Sequence, residues 1–521
     1  MKTRQVKISR NYQFLSHPVD NPPRFEGETL GEDESLWELP ERVQNPPLMI
    51  CIPKGKSTDD GSDSKMPKRR RLESEPPKDD DKPHTPSEMI YIAFNESGLA
   101  PEDPKTLREA KRSSEWPEWE KAINIELEQL RNMGTWELMD LPEGRRAIGN
   151  KWVFLRKFDK HGVLQKYKAR LVAKGYSQIP GMDYTDTFSL VVRLETICAA
   201  LALAVNLDWE IEQMDVKGAF LNGLLHEDVY MRQPDGYSDG TNHVCRLIKT
   251  LYGLKQAGRE WNKVLDTKMA KRGFMCLEAD PCAYIRETHE HTELITVWVD
   301  DLLLFADTPD VMKALKDELK SVFEVTDLGS PQKIVGIEID HNRAEGKLKI
   351  SQAQYIENLL AKYGMTEAHT VSTPMDPSVN LDEVPEGPVD MHIKEEYPSL
   401  IGSLLFLAIA TRPDIANAVR KLSAYTSNPA QCHWIAAKRV LRYLKGTKDI
   451  GIIYRKDENF NRATAFKAYS DASFNSEKDG KSVTGYAFLC AGGAISWGSR
   501  KQTMVALSTI EAEYIALTEM V

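Results

Sequence analysis

The residues best placed to do chemistry are three aspartates at the ends of apolar runs. Asp300 and Asp301 interrupt the segment Val297-Trp298-Val299-Asp300-Asp301-Leu302-Leu303-Leu304. Two acids buried there would be costly, so they belong at an exposed turn or around a cation. Taken alone, an exposed hairpin tip accounts for them. Asp215 shifts that reading, because it closes the apolar segment Trp209–Val216 and is followed by Lys217-Gly218-Ala219-Phe220. Three carboxylates converging from two strands suit a pair of divalent ions about 3.5–4 Å apart, and phosphoryl transfer is the reaction class they point to. No GxxxxGK[ST] loop is present, which disfavours a P-loop NTPase.

The elements that must position these acids can be read from periodicity. Trp119, Ile123, Leu127 and Leu130 recur at helical spacing behind Pro117, predicting a helix that ends at Gly134. Lys151–Phe158 and Lys168–Ala173 read as strands of a hairpin turning at Lys160-His161-Gly162. A helix over Glu195–Asn206 leads into the strand Trp209–Val216, and helices follow over Ala257–Arg272 and Asp310–Val322. Glu293–Ala306 is a strand broken by the aspartate pair, and Ile334–Ile339 is a further strand. Helices dominate from Gln352 to Leu444, and a strand-rich section opens at Lys467. No internal repeat is visible.

Charge sharpens the picture locally rather than globally. The 521 residues carry 68 basic and 78 acidic side chains, a net charge of −10, which excludes a uniformly basic protein. Between Arg145 and Gln178, however, ten Lys or Arg face a single acid, Asp159. That imbalance favours contact with a polyanion over a merely solvated hairpin. Seven scattered cysteines show neither CxxC pairs nor zinc spacing, and apolar runs are too short for a membrane span. A reducing cytoplasmic or nuclear setting with no membrane partner is expected. Pro, Ser, Asp and Lys crowd Pro53–Pro86, the composition of a flexible linker. Its run Lys68, Arg69, Arg70, Arg71 reads either as a nuclear-import signal or as a solvated charge cluster. Oligomeric state is not set by any of these features.

Six segments, in order, carry a resemblance: KARLVAKGYSQ (168–178), MDVKGAFLNGLL (214–225), VYMRQPDGY (229–237), LYGLKQAGREW (251–261), WVDDLLLFA (298–306) and VGIEI (335–339). Together they resemble the reverse transcriptases of copia-type retrotransposons over about Trp116 to Tyr454. The resemblance implies an RNA-directed DNA polymerase of α+β, right-hand architecture, with fingers, palm and thumb. It implies two Mg²⁺ or Mn²⁺ ions, dNTPs, an RNA template and a DNA primer. Asp215, Asp300 and Asp301 match the metal-binding catalytic triad, with the Val216 carbonyl as a further ligand. Ala219 and Phe220 match the nucleotide-binding position where a ring excludes a 2′-hydroxyl. Lys168 and Arg170 match fingers cations that meet the triphosphate, as a point charge and a bidentate fork. Gln256 matches a polar residue near nucleotide and template, with a helix-capping amide as the other reading. Trp298 stands where the family usually has Tyr before the aspartate pair, and Gly336 falls in the strand resembling the primer grip. Gly218 stands where Thr is common, and Gly258 and Leu190 each replace a proline.

Further on, YSDASF and STIEAEYIAL resemble the opening of the RNase H domain that follows this polymerase, with Asp471 and Glu513 matching its first two acids. The chain stops at Val521, before the segments that bring the remaining carboxylates, so absent ribonuclease activity is the expectation. Val6–Asn11 resembles the tail behind an integrase core. The expected organisation is an integrase-tail-like segment (1–20), a linker (21–114), fingers and palm (115–350), a helical thumb or connection (351–460) and a truncated RNase H-like piece (465–521). The rival expectation is a catalytically silent relic that binds nucleic acid at most.

Overall fold

The computed structural model describes residues 103–158, 164–187, 191–382, 390–461 and 464–520. The integrase-tail-like segment, the basic run Lys68 to Arg71, the turn Lys160-His161-Gly162 and Leu190 lie outside them. Chain order begins with α1 (Leu107–Arg112), α2 (Trp116–Asn132), β1 (Trp136–Met139) and the hairpin of β2 (Asn150–Phe158) and β3 (Leu164–Ala173). α3 (Leu194–Leu207), β4 (Glu210–Val216), β5 (Leu224–Met231), β6 (Val244–Lys249) and α4 (Ala257–Ala270) follow. Next come β7 (Met275–Cys276), β8 (Ala283–Glu287), β9 (Thr292–Trp298), β10 (Asp301–Ala306), α5 (Pro309–Lys320) and β11 (Val325–Gly329). β12 (Lys333–Ile334), β13 (Ile337–Asn342) and β14 (Lys347–Ser351) precede the helices α6 (Ala353–Lys362), α7 (Met391–Ala410), α8 (Ala416–Ser423) and α9 (Gln431–Gly446). The chain closes with β15 (Ile452–Arg455), β16 (Lys467–Ser473), β17 (Val483–Cys490), β18 (Gly493–Lys501) and α10 (Thr509–Met520).

The sheet that carries the aspartates has six strands in the order β11-β4-β10-β9-β8-β7. β10 lies at its centre, and Leu302 to Ala306 are buried on both faces, which is why the segment reads as a continuous apolar run. α5 packs on β10 and β4. Its start is set locally: Thr308 caps the Val311 N–H and Pro309 supplies the first helical residue. α2 buries Trp119, Ile123, Leu127 and Leu130, the predicted stripe, against the β2–β3 hairpin. Trp119 meets Phe154 and Tyr167 edge-on.

Three expectations need adjustment. A helix, α1, falls inside the span read as linker; Thr106 caps it and the Glu109 carboxylate accepts the Lys105 N–H, a reciprocal arrangement that stabilises so short a helix. Ile334–Ile339 is not one strand: Val335 and Gly336, at φ 48° and 74°, form a two-residue turn between β12 and β13. Gly336 thus sits in a tight turn, where its positive φ is free of strain, rather than in a strand interior. The helical section ends in a strand, β15, that pairs with β14 across the expected boundary at 350.

The main core runs from Val192 through the central sheet and α6 to α9 as far as Cys490 and Ile495. A second core, Leu107 to Ala257, underlies the hairpin. Phe220 packs against both.

Candidate active site

β9 and β10 are joined by only Val299 and Asp300, and β10 pairs with β4 so that Asp301 lies directly opposite Asp215. Directly opposed residues of antiparallel strands share a face, with Cβ atoms about 4.5–5.5 Å apart. The tip is tied to β4 as well: the Val216 N–H donates to the Asp300 carbonyl at 2.8 Å. All three carboxylates are therefore delivered to one lip of the sheet by strand register. Val216 itself is buried beneath them.

Burial pushes the Asp301 carboxyl up to about 6, and the charges of Asp300 and Asp215 add to it. Asp215 is raised for the same reasons, burial first and then Asp300. Gln213, two residues before Asp215 on the same face, donates its amide to Asp301 Oδ1 at 3.2 Å and partly offsets the rise. Arg170 lies 3.7 Å from Asp300 Oδ2. Among the described residues, no three His, Cys, Asp or Glu side chains are grouped closely enough to hold a metal ion together. The donor set nonetheless fits divalent cations: hard carboxylate oxygens, mutually repelling and partly desolvated, gain most from a concentrated positive charge.

The hairpin cations reach the same lip from β3. Lys168 and Arg170 alternate with Ala169 and Leu171, which are buried on the opposite face against the second core. Burial pulls Lys168 down to about 8, with Arg170 and Lys157 repelling its charge and Asp300 and Asp215 opposing the shift. The Arg170 guanidinium lies 4.8 Å from the centre of the Tyr252 ring, and Tyr252 meets Phe220 edge-on at 5.5 Å. The stack Arg170, Tyr252, Phe220 lines the approach to the aspartates. Its Tyr252 member was not anticipated, although Gly253 marks it. That glycine, at φ 87°, lets the turn press onto Ala173, whose N–H donates to the Tyr252 carbonyl at 2.8 Å. The ten-to-one basic count also resolves into parts. Arg156 turns inward to Asp103 and Glu115, while Lys151, Lys157 and Lys166 stay exposed.

Phe220 is half-buried in a short helical turn, Ala219–Asn222, that follows Gly218 at φ 59°. Gly218 takes that angle without strain, so the absence of Thr is accommodated. Ala219 is buried. α4 forms with Gly258 in its first turn despite the missing proline. Gln256 is wholly buried: its amide donates to the Asp183 carbonyl at 2.9 Å and accepts from Gln178 at 3.1 Å, and it makes no capping bond. Trp298 is half-buried and packs on the main core opposite Asp301. At the far end, Asp471 lies on β16 opposite Gly485, and Glu513 lies on α10, which packs on β16. Burial and the Asp471 charge raise the Glu513 carboxyl, so the two acids are neighbours.

A family model described as reverse transcriptase (RNA-dependent DNA polymerase) matches residues 133–377. The Pol polyprotein of transposon TNT 1-94 from Nicotiana tabacum is 40% identical over 455 residues, covering 86% of this chain and 33% of the polyprotein. That of transposon RE1 from Arabidopsis thaliana is 38% identical over 419 residues, 80% of this chain and 28% of its own length. A transposon Ty5-1 protein of Saccharomyces cerevisiae is 34% identical over 314 residues, 59% of this chain and 99% of its own length. The chain thus spans about a third of the plant polyproteins it matches. Among the described residues no helix is long and apolar enough to cross a membrane.

Proposed function

This chain belongs to the Pol polyproteins of copia-type retrotransposons and carries their reverse transcriptase domain, and from that premise we propose that it extends a DNA primer on an RNA template. The observation that carries the reading is the register of β4 against β10, which sets Asp215 opposite Asp301 beneath Lys168 and Arg170. The primer 3′-hydroxyl gives up its proton to solvent water, its oxygen attacks the α-phosphorus of a dNTP, a new P–O bond forms, the α–β bridging P–O bond breaks, and pyrophosphate leaves. Two Mg²⁺ or Mn²⁺ ions, held by Asp215, Asp300, Asp301 and the Val216 carbonyl, would activate the hydroxyl and neutralise the leaving group. Lys168 and Arg170 bind the triphosphate, and Arg170 exchanges Asp300 for it. Phe220, backed by Tyr252, takes the face of the sugar and leaves no space for a 2′-hydroxyl. Trp298 and the Val335-Gly336 turn meet the primer. Gln256 braces the nucleotide site from inside by fixing Gln178 and Asp183. Exposed Lys151, Lys157 and Lys166 hold template backbone without sequence preference, giving salt-dependent affinity.

Hybrid cleavage is not part of the proposal. Asp471 and Glu513 are neighbours on β16 and α10, and degradation of an RNA–DNA hybrid by the native chain beside Asp471→Asn measures whether they act on one. The run Lys68 to Arg71 is retained as an import signal, tested by the location of a fluorescent fusion with and without it.

A second reading, a silent nucleic-acid binder, draws on one observation: Arg170 and Gln213 each engage an aspartate, and the acids are not gathered into an ion site. Primer extension on an RNA template with Mg²⁺ or Mn²⁺ separates the two. The polymerase reading expects extension by the native chain and a loss of about a thousandfold in Asp300→Asn. Equal signal from both proteins sinks it.

A further inference from the structure

A hairpin loop of two residues favours the primed turn types, I′ and II′, and a positive φ at its first position restricts it to these two. Val299 has φ 57°, while Asp300 is not among the positive-φ residues, which is the pattern of type II′. The first loop position of that turn favours glycine, and a β-branched residue there is a steric outlier. The Val335-Gly336 turn, with both φ values positive, is of the other type. The two types differ chiefly in the orientation of the central peptide, and hence in where the carbonyl of the first loop residue points.

At the aspartate turn that carbonyl has a partner from another element. The Trp261 Nε1–H donates to the Val299 carbonyl at 2.7 Å. Trp261 is buried on α4, belongs to the main core and stands edge-on to Phe323 at 5.3 Å, so its ring is fixed independently of the turn. From β4 the Val216 N–H holds the Asp300 carbonyl. The strained unit Val299-Asp300 is bracketed by these two bonds.

We infer that Trp261 is a positioning residue that latches the Val299–Asp300 peptide in the type II′ orientation and thereby fixes the Asp300 backbone and the direction of its carboxylate. Without the indole donor the peptide is free to rotate toward type I′, whose positive φ an aspartate tolerates, and Asp300 turns away from Asp215. The inference rests on the reading of the three aspartates as ion ligands.

Mn²⁺ titrated into the full chain without nucleotide, followed by the electron paramagnetic resonance of free Mn²⁺, tests it in four proteins: native, Trp261→Phe, Val299→Gly and the double variant. Trp261→Phe keeps the ring and removes the donor, and it is expected to weaken Mn²⁺ binding by about tenfold, the scale of one buried hydrogen bond. Val299→Gly removes the strain and favours type II′ unaided, so in that background the effect of Trp261→Phe is expected to shrink to about twofold or less. Equal weakening in both backgrounds, or none, overturns the latch while leaving the ion site intact. No Mn²⁺ binding by the native chain overturns the ion-ligand reading and the inference together. Unfolding midpoints of the same four proteins without metal give a second measure: a smaller loss from Trp261→Phe in the Val299→Gly background supports the latch, and additive losses oppose it. If Trp261→Phe does not fold, folding of the double variant supports the latch, and failure of both overturns it.

Discussion

Phe220 has one seat, because its ring meets Tyr252 and its backbone carbonyl takes the Thr250 hydroxyl. On the proposed placement of the sugar against Phe220, Phe220→Ala is expected to lower the preference for dNTP over rNTP, measured as the ratio of kcat/KM values in primer extension, by about 10–100-fold. Lys168 carries a pH signature. It is charged below about 8 and neutral above, and only the charged form attracts a triphosphate. KM for dNTP is therefore expected to rise as pH passes upward through 8, and Lys168→Arg, charged throughout, to flatten that rise. Asp215, Asp300 and Asp301 stand out in the sequence because carboxylates beside apolar runs advertise themselves locally, whereas Phe220 was singled out only by the family resemblance. Gln213 and Trp261 were not, because their partners Asp301 and Val299 lie 88 and 38 positions away. Gln256 shows the converse: its motif was visible, but burial turned its amide to Gln178 and Asp183.

Among the elements, the β4–β10 pairing carries the site, since a slip of one residue would place Asp301 beside Met214 and reverse every side chain of the strand. Periodicity predicted these strands and the helices around them. It missed the break at Val335-Gly336, since a short apolar run reads as strand until two positive φ angles reverse it. The entry to α8 depends on charges that periodicity also passes over. Arg412 is wholly buried and pairs with Asp414 while donating to the Thr447 carbonyl. Burial pushes the Asp414 carboxyl up, but the Arg412 guanidinium and the Tyr443 hydroxyl outweigh it and hold the group below its ordinary value. A depressed acid contributes stability that is present above the unfolded value of about 3.9 and lost as pH falls through the lower folded one. Arg412→Met is expected to cost about 3 kcal/mol in denaturant unfolding at pH 7, the low end for a broken buried pair because Asp414 keeps some exposure, and to flatten the acid limb.

For the molecule as a whole, the C-terminal sheet shares a core with the aspartate-bearing sheet. Cys490 and Ile495 lie in the main core, the Trp497 indole donates to the Ala408 carbonyl at 2.7 Å, and the Tyr454 hydroxyl donates to the Ala494 carbonyl at 2.8 Å. A Cβ on Gly493 would come within 2.6 Å of the Tyr454 ring. Gly493→Ala is expected to cost about 1–3 kcal/mol by overpacking and, in calorimetry, to lower a single transition for both parts. Two transitions, with one unmoved, would show independent units. Composition could not foresee this, since boundaries read from sequence follow local change in pattern, whereas cores follow contacts between distant segments. By itself the sequence determined the family, the acids, the cations and the strands and helices that bear them, because residue type and spacing are local properties. The tertiary structure alone decided which carboxylate faces which cation, that Tyr252 backs Phe220 and that Trp261 holds the strained turn, because each of these depends on how strand register and helix packing bring remote positions to one edge of the sheet.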